Sequence, residues 1–167
     1  MRPTTRSHVV VRQGLLFGVA LGLVDLVRTL IEGPNGLTSA TPSVLGAVAF
    51  LVVAAGFVYL GVRVASATGR MRDGALAGLV AGLVVWGFYV VGALLVALPN
   101  QEALRRQFQA AADQAHLSVQ YTSSMALGAV IVALVFAVFL GAGVGALLGA
   151  LGSVFGKRQV TGAVPVA

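Results

Sequence analysis

Four stretches of this chain are too apolar and too long to fold with either side in water. They run Gly14–Ile31, Val44–Val64, Gly74–Leu98 and Met125–Phe155, and the last two contain no charged residue at all. A hydrocarbon core about 30 Å thick is crossed by roughly 20 residues rising 1.5 Å each. Lipid offers no hydrogen bonds to the backbone, so each stretch must satisfy its own N–H and C=O groups as a helix. No alternating apolar–polar strands occur, which excludes an outer-membrane barrel. The fold class read from the sequence is therefore an all-α membrane protein in one polytopic domain, 1–167. Its four transmembrane helices are expected at about 13–32, 43–66, 73–98 and 124–155. The last exceeds a bilayer and has to tilt or project.

Composition agrees. Hydrophobic residues make up 58% and mean hydropathy is +0.96. Charged residues are 10%, where a soluble domain carries about 25%. A disordered chain and a soluble enzyme are excluded, and the absence of cysteine excludes a disulfide scaffold. The net charge of +6 would suggest nucleic acid in a soluble protein. Here the positions of the cations explain it. Arg2, Arg6, Arg12, Arg63, Arg70, Arg72, Lys157 and Arg158 all fall on one side of the expected membrane. Only Arg105 and Arg106 fall on the other, with Arg28 inside the first helix. The positive-inside rule places both termini in the cytoplasm. Arg in place of Lys, with abundant Ala, Val, Gly and Leu, is the usage of a GC-rich bacterial genome. The expected location is thus the bacterial cytoplasmic membrane, with the lipid bilayer as partner and no nucleic acid.

Local signals set the boundaries. Gly33-Pro34-Asn35-Gly36 reads as a turn closing the first helix. Thr41 and Pro42 read as an N-cap and the first helical residue of the second. Leu98-Pro99-Asn100 stops the third, and Ser123 or Ser124 caps the fourth. Residues 157–167 read as a flexible tail. Residues 1–40 imitate a signal peptide, but Asp25, Arg28 and Glu32 lie between the apolar stretch and Thr38-Ser39-Ala40, so an uncleaved first helix is expected.

Glycine recurs with a helical period. Gly14, Gly18 and Gly22 lie on one face of the first helix, Gly74, Gly78 and Gly82 on one face of the third, and Gly141, Gly145 and Gly149 on one face of the fourth. Such glycine zippers let backbones approach closely, and close packing supplies much of the association energy in lipid. Either they pack the chain's own bundle, or the fourth helix offers a seam to a second copy or a larger membrane complex. The pattern Arg12-x-Gly14-x-x-x-Gly18-x-x-x-Gly22-Leu23-Val24 returns sixty residues later, from Arg72 to Val84. Leu45-Gly46-Ala47-Val48 likewise returns at Leu127–Val130. Two hairpins related as a parallel repeat would produce this.

Asp25, Arg28 and Glu32 share one face of the first helix. A carboxylate there costs about 2.5–3.5 kcal/mol on insertion scales. Either the three neutralise one another, or Asp25 is an ion or proton site. Trp86, Phe88, Tyr89 and Tyr59 read as helix packing, and Tyr121 and Phe155 as interfacial anchors. Between the third and fourth helices, Asn100 to about Leu117 reads as an amphipathic helix on the outer surface. Leu104, Phe108, Ala111, Ala112 and Ala115 form its apolar face, and Glu102–Arg106 is an i,i+4 pair. No metal-ligand cluster, nucleophile elbow or phosphate loop is present in the sequence, so neither enzyme nor cofactor is expected.

The basic Arg70-Met71-Arg72-Asp73-Gly74 before the third helix and the Gly149–Arg158 ending resemble small four-helix bacterial membrane proteins of unknown function. That resemblance implies four helices with both ends inside, and no activity. The leading expectation is a structural or accessory membrane protein that binds other helices through its glycine stripes. The alternative is a small proton- or cation-coupled transporter or pore using Asp25. A holin-like pore is a third, weaker reading.

Overall fold

A computed structural model of the chain describes residues 3–38 and 43–162, with side chains over 7–38 and 43–156. Its described residues form five helices and no strand: α1 (Pro3–Thr38), α2 (Val44–Thr68), α3 (Met71–Ala97), α4 (Gln101–Gln114) and α5 (Ser123–Gly162). Four of them, over Ser7–Thr38, Val44–Thr68, Met71–Ala97 and Ser123–Gly156, are long and apolar enough to cross a membrane. Their outward faces are apolar: Phe50, Phe136, Phe139, Leu140 and Leu147 are all more than 60% exposed. A water-soluble monomer does not present such a surface; in a bilayer it is the face that meets the acyl chains.

The ends of the helices have identifiable causes, and several differ from the sequence expectation. The Gly33–Gly36 cluster bends α1 rather than closing it. Gly33 takes φ 60° and ψ −149°, a region essentially reserved for glycine. Pro34 then starts one further helical turn to Thr38, where its missing N–H costs nothing. Thr41 and Pro42 lie outside the described residues. The cap of α2 is Ser43, whose Oγ accepts a hydrogen bond from the Gly46 N–H at 2.8 Å. Gly69, at φ 70°, closes α2 in the left-handed conformation. Asn100 takes the N-cap position of α4, but its side chain makes no cap bond; its Nδ2 donates back to the Val96 carbonyl of α3 at 2.8 Å. Thr122, not Ser123 or Ser124, caps α5, accepting from the Met125 N–H at 3.2 Å. No Gly or Pro breaker intervenes between Gly156 and Gly162, and α5 accordingly continues to Gly162, beyond the expected end at 155. Its 40 residues are about 60 Å long at 1.5 Å each, well over the bilayer core.

The glycine stripes decide which helices touch. Gly74, Gly78 and Gly82 of α3 run antiparallel against Gly149, Gly145 and Gly141 of α5. A Cβ on Gly145 would stand 2.6 Å from the Gly78 carbonyl oxygen, and one on Gly149 would stand 2.5 Å from that of Gly74. Gly14, Gly18 and Gly22 seat α1 against Val80, Ala81, Val84 and Phe88 of α3, with the two helices parallel. Gly61 of α2 meets Gly149, while Gly152 and Gly156 of α5 meet Val58 and Val62. The repeated sequence pattern is not repeated in contacts. The α1 stripe faces a parallel neighbour and the α3 stripe an antiparallel one. Gly46 is crowded by Glu32 and Arg28, whereas Gly128, its counterpart in the repeat, meets nothing within 4 Å.

Two apolar clusters fill the bundle. One joins Leu21, Phe57, Leu60, Val64, Ala77, Ala81 and Val85. The other joins Ala93, Ala97, Leu104, Ala126, Val130 and Leu134, so that α4 is docked by its buried Leu104 onto the ends of α3 and α5.

Candidate functional site

The polar residues of α1 converge on a cavity in the bundle. Arg28 stands between two carboxylates. Its Nε lies 3.1 Å from Asp25 Oδ1 and its Nη1 3.9 Å from Glu32 Oε2. All three side chains are 12–22% exposed. The Nε–H is buried and makes no hydrogen bond, so the short approach to Asp25 is a charge contact whose N–H is not aimed at the oxygen. Arg28 also reaches the Tyr89 ring, 6.0 Å from its centroid. One turn along, the buried Thr29 hydroxyl donates to the Asp25 carbonyl at 2.8 Å.

The first turn of α2 completes this end. Ser43 Oγ donates to Glu32 Oε1 while accepting from Gly46. Glu32 therefore sits at the N-terminus of α2, where the unpaired N–H groups favour an anion. Gly46 leaves room for that approach: a Cβ there would come 3.2 Å from Glu32 Oε1 and 3.4 Å from Arg28 Nη1. On the far side, Gln107 of α4 holds the turn that follows the Gly33 bend. Its Oε1 accepts from Thr38 at 2.5 Å and its Nε2 donates to Asn35 Oδ1 at 2.7 Å.

Behind the triad lies a cavity of about 1140 Å³, somewhat larger than the usual range for a small-molecule site. It is walled by α1, α2, α3 and α5, and Asp25, Arg28, Glu32, Asn35 and Ser43 form its polar end. Phe50, Phe57, Val85, Trp86, Tyr89 and Leu148 are among the residues that line the remainder. Trp86 meets Tyr89 edge-on at 5.1 Å and lies where a Cβ on Gly141 would stand. Gly141 thus admits the indole as well as the α3 backbone.

Of the residues singled out in the sequence, Asp25, Arg28 and Glu32 come together. The nine stripe glycines lie on the α1–α3 and α3–α5 seams, and of them Gly141 lines the cavity. Trp86 and Tyr89 do pack, as expected, but they also line the cavity. Ser43, Asn35 and Gly46 were not expected at the site. Their only sequence signal is position, on either side of the short connection after Glu32. In α4, Glu102 pairs chiefly with Arg105, whose Nη2 is 2.6 Å away, and only then with Arg106 at 3.6 Å. The Arg105 hydrogen bond holds the Glu102 carboxyl down at about 2. Among the described residues, no group of three His, Cys, Asp or Glu side chains could hold a metal ion. No family model, curated protein or solved structure matches this chain.

Proposed function

We propose that this chain is a small carrier of the bacterial cytoplasmic membrane, with both termini inside, that takes a cation into the cavity at Asp25 and Glu32. The observation that carries this reading is the charge balance of the cavity. Two carboxylates face one guanidinium, which leaves one formal negative charge inside an apolar bundle. Ionisable residues within membrane helices commonly mark ion or substrate paths. The 1140 Å³ beside it provides room for an occupant.

The accessory reading loses its main support. The glycine stripes on which it rested are taken up inside the chain. Among the helical glycines with described surroundings, Gly87, Gly128 and Gly143 alone meet nothing within 4 Å, and they form no stripe. Its remaining basis is the apolar exterior, which lipid covers equally well.

The test is flux through the full chain reconstituted in liposomes, with protons and monovalent cations as the probes. Losing one carboxylate of a partly buried charge pair should lower flux about tenfold or more in Asp25→Asn and Glu32→Gln. Both variants should remain monodisperse. Wild-type flux in both would overturn the carrier. A stoichiometric larger protein co-purifying from native membranes would restore the accessory reading.

A further inference from the structure

The cavity has a side opening, and its position identifies the kind of cargo. Near the α2–α3 turn, α2 and α5 are locked together by Val58 against Gly152, Val62 against Gly156 and Gly61 against Gly149. Phe57 reaches the same helix at Gly145. Before Phe57 the two helices part. Phe50 and Leu51 line the cavity and are nevertheless 64% and 65% exposed, and Val144 opposite them is 42% exposed. The neighbouring exterior, Phe136, Phe139 and Leu140, is 65–74% exposed and wholly apolar. The gap therefore faces the medium that bathes the apolar exterior, which for membrane-spanning helices is lipid.

Inside, polarity is divided along the bundle axis. The charged end lies at Glu32, Ser43 and Gly46. Ten or more residues deeper along α2 and one turn deeper along α3, the walls are Phe57, Val85 and Leu148. Trp86 and Tyr89 stand between. Arg28 is shared by the two carboxylates and lies nearer Asp25, so one formal negative charge is left over at this end, where Ser43 and the N-terminus of α2 steady Glu32 without supplying a cation. Aromatic faces beside carboxylates attract a cation and repel an anion.

Building on the carrier reading, we infer that the cargo is a lipophilic cation, an ammonium-type head on an apolar body, which enters from the bilayer between α2 and α5. The head settles at Glu32 and the body lies along Phe50, Phe57 and Leu148. An inorganic cation would need neither the side opening nor the apolar depth.

Trp86 is the chain's one tryptophan, and it lines the cavity, so its fluorescence reads the site directly. The full chain is placed in phosphatidylcholine nanodiscs containing acyl-brominated lipid, and dodecyltrimethylammonium is titrated below its micellar concentration. Bromolipid should quench Trp86 through the side opening. The cationic amphiphile should relieve that quenching saturably, while dodecanol, dodecyl sulfate and tetramethylammonium should not. Glu32→Gln should weaken the relief about tenfold. If that variant does not fold, Asp25→Asn and a salt titration of the wild type read the same charge. Absent quenching, equal relief by dodecanol, or relief unchanged by both variants and by salt would each overturn the inference. The two proposals fail separately. Carboxylate-dependent flux of small cations without any Trp86 response would sink the lipophilic cargo and leave the carrier. Loss of both would sink both.

Discussion

The two ends of this bundle are built on opposite plans. At the α2–α3 turn, backbone meets backbone: Gly61, Gly74, Gly78, Gly145 and Gly149 let three helices touch, and the fully buried Ser153 donates to the Gly149 carbonyl at 2.7 Å. At the α4 end, α3 and α5 still pack through Ala93, Ala97, Ala126 and Val130, but on the α2 side a charged triad, two large aromatics and a cavity lie between the helices. The first end gains its stability from close contact without side chains. The second gives up contact and keeps an uncompensated charge. A membrane bundle cannot rely on water to drive its helices together, so it tolerates an open end only when the other is tight.

The sharpest way to break this comparison is to fill the tight end. Gly149→Leu drives a side chain into the Gly74 carbonyl and the Gly78 backbone of α3. The expected loss lies at or above the top of the roughly 1–3 kcal/mol range for overpacking. Gly143→Leu, on the exposed side of the same helix, should be silent. Size-exclusion profiles and thermal melts in mild detergent would show it, and equal tolerance of both would mean the seam is not tight.

At the open end the expected order is unequal within the triad. Arg28→Gln leaves two carboxylates without their cation and should cost up to about 3–5 kcal/mol, the range for breaking a buried pair. Asp25→Asn leaves Arg28 with Glu32 and should cost much less. A melt showing the reverse order would mean that Arg28 is not the group that compensates the pair.

Smaller effects refine the picture. Ser153→Ala removes a buried hydroxyl whose main bond is within its own helix, and about 1 kcal/mol or less is expected. If the loss is several times that, the 3.5 Å contact to the Gly61 carbonyl matters more than its length suggests. Smallest is Glu102. Its carboxyl is held down at about 2 from 4.5 by Arg105. The pair therefore contributes fully above pH 4.5, and its contribution is lost as pH falls toward 2. Its exposure to solvent keeps that contribution small. An NMR titration of the carboxyl should find its midpoint near 2, and a midpoint near 4.5 would mean that Arg105 is not held against it.

Much of the architecture was legible in the residues. Four spans, the stop at Leu98-Pro99 and the helix over Gln101–Gln114 follow from length, hydropathy and breakers, which act locally. The triad was also legible, because residues three and four apart share a helix face wherever the helix is placed. Caps were less so. Ser43 and Thr122 each displaced an expected neighbour, since a cap is chosen by where the helix is docked as much as by which residue can cap.

Which surfaces meet was a different matter. The glycine stripes announce close packing without naming a partner, and only the tertiary arrangement turned all three inward. It also set the α1 and α3 stripes in unlike contacts despite their like sequences. The cavity was invisible for the same reason. Ser43, Trp86 and Glu32 are far apart in the chain, and nothing in their local pattern says they share a space. Hydropathy and helix periodicity are properties of one segment and its solvent, so the amino-acid sequence determined the spans and the triad. Pairing is a property of two surfaces at once, so the seams, the gap and the shape of the cavity were decided only when the helices packed.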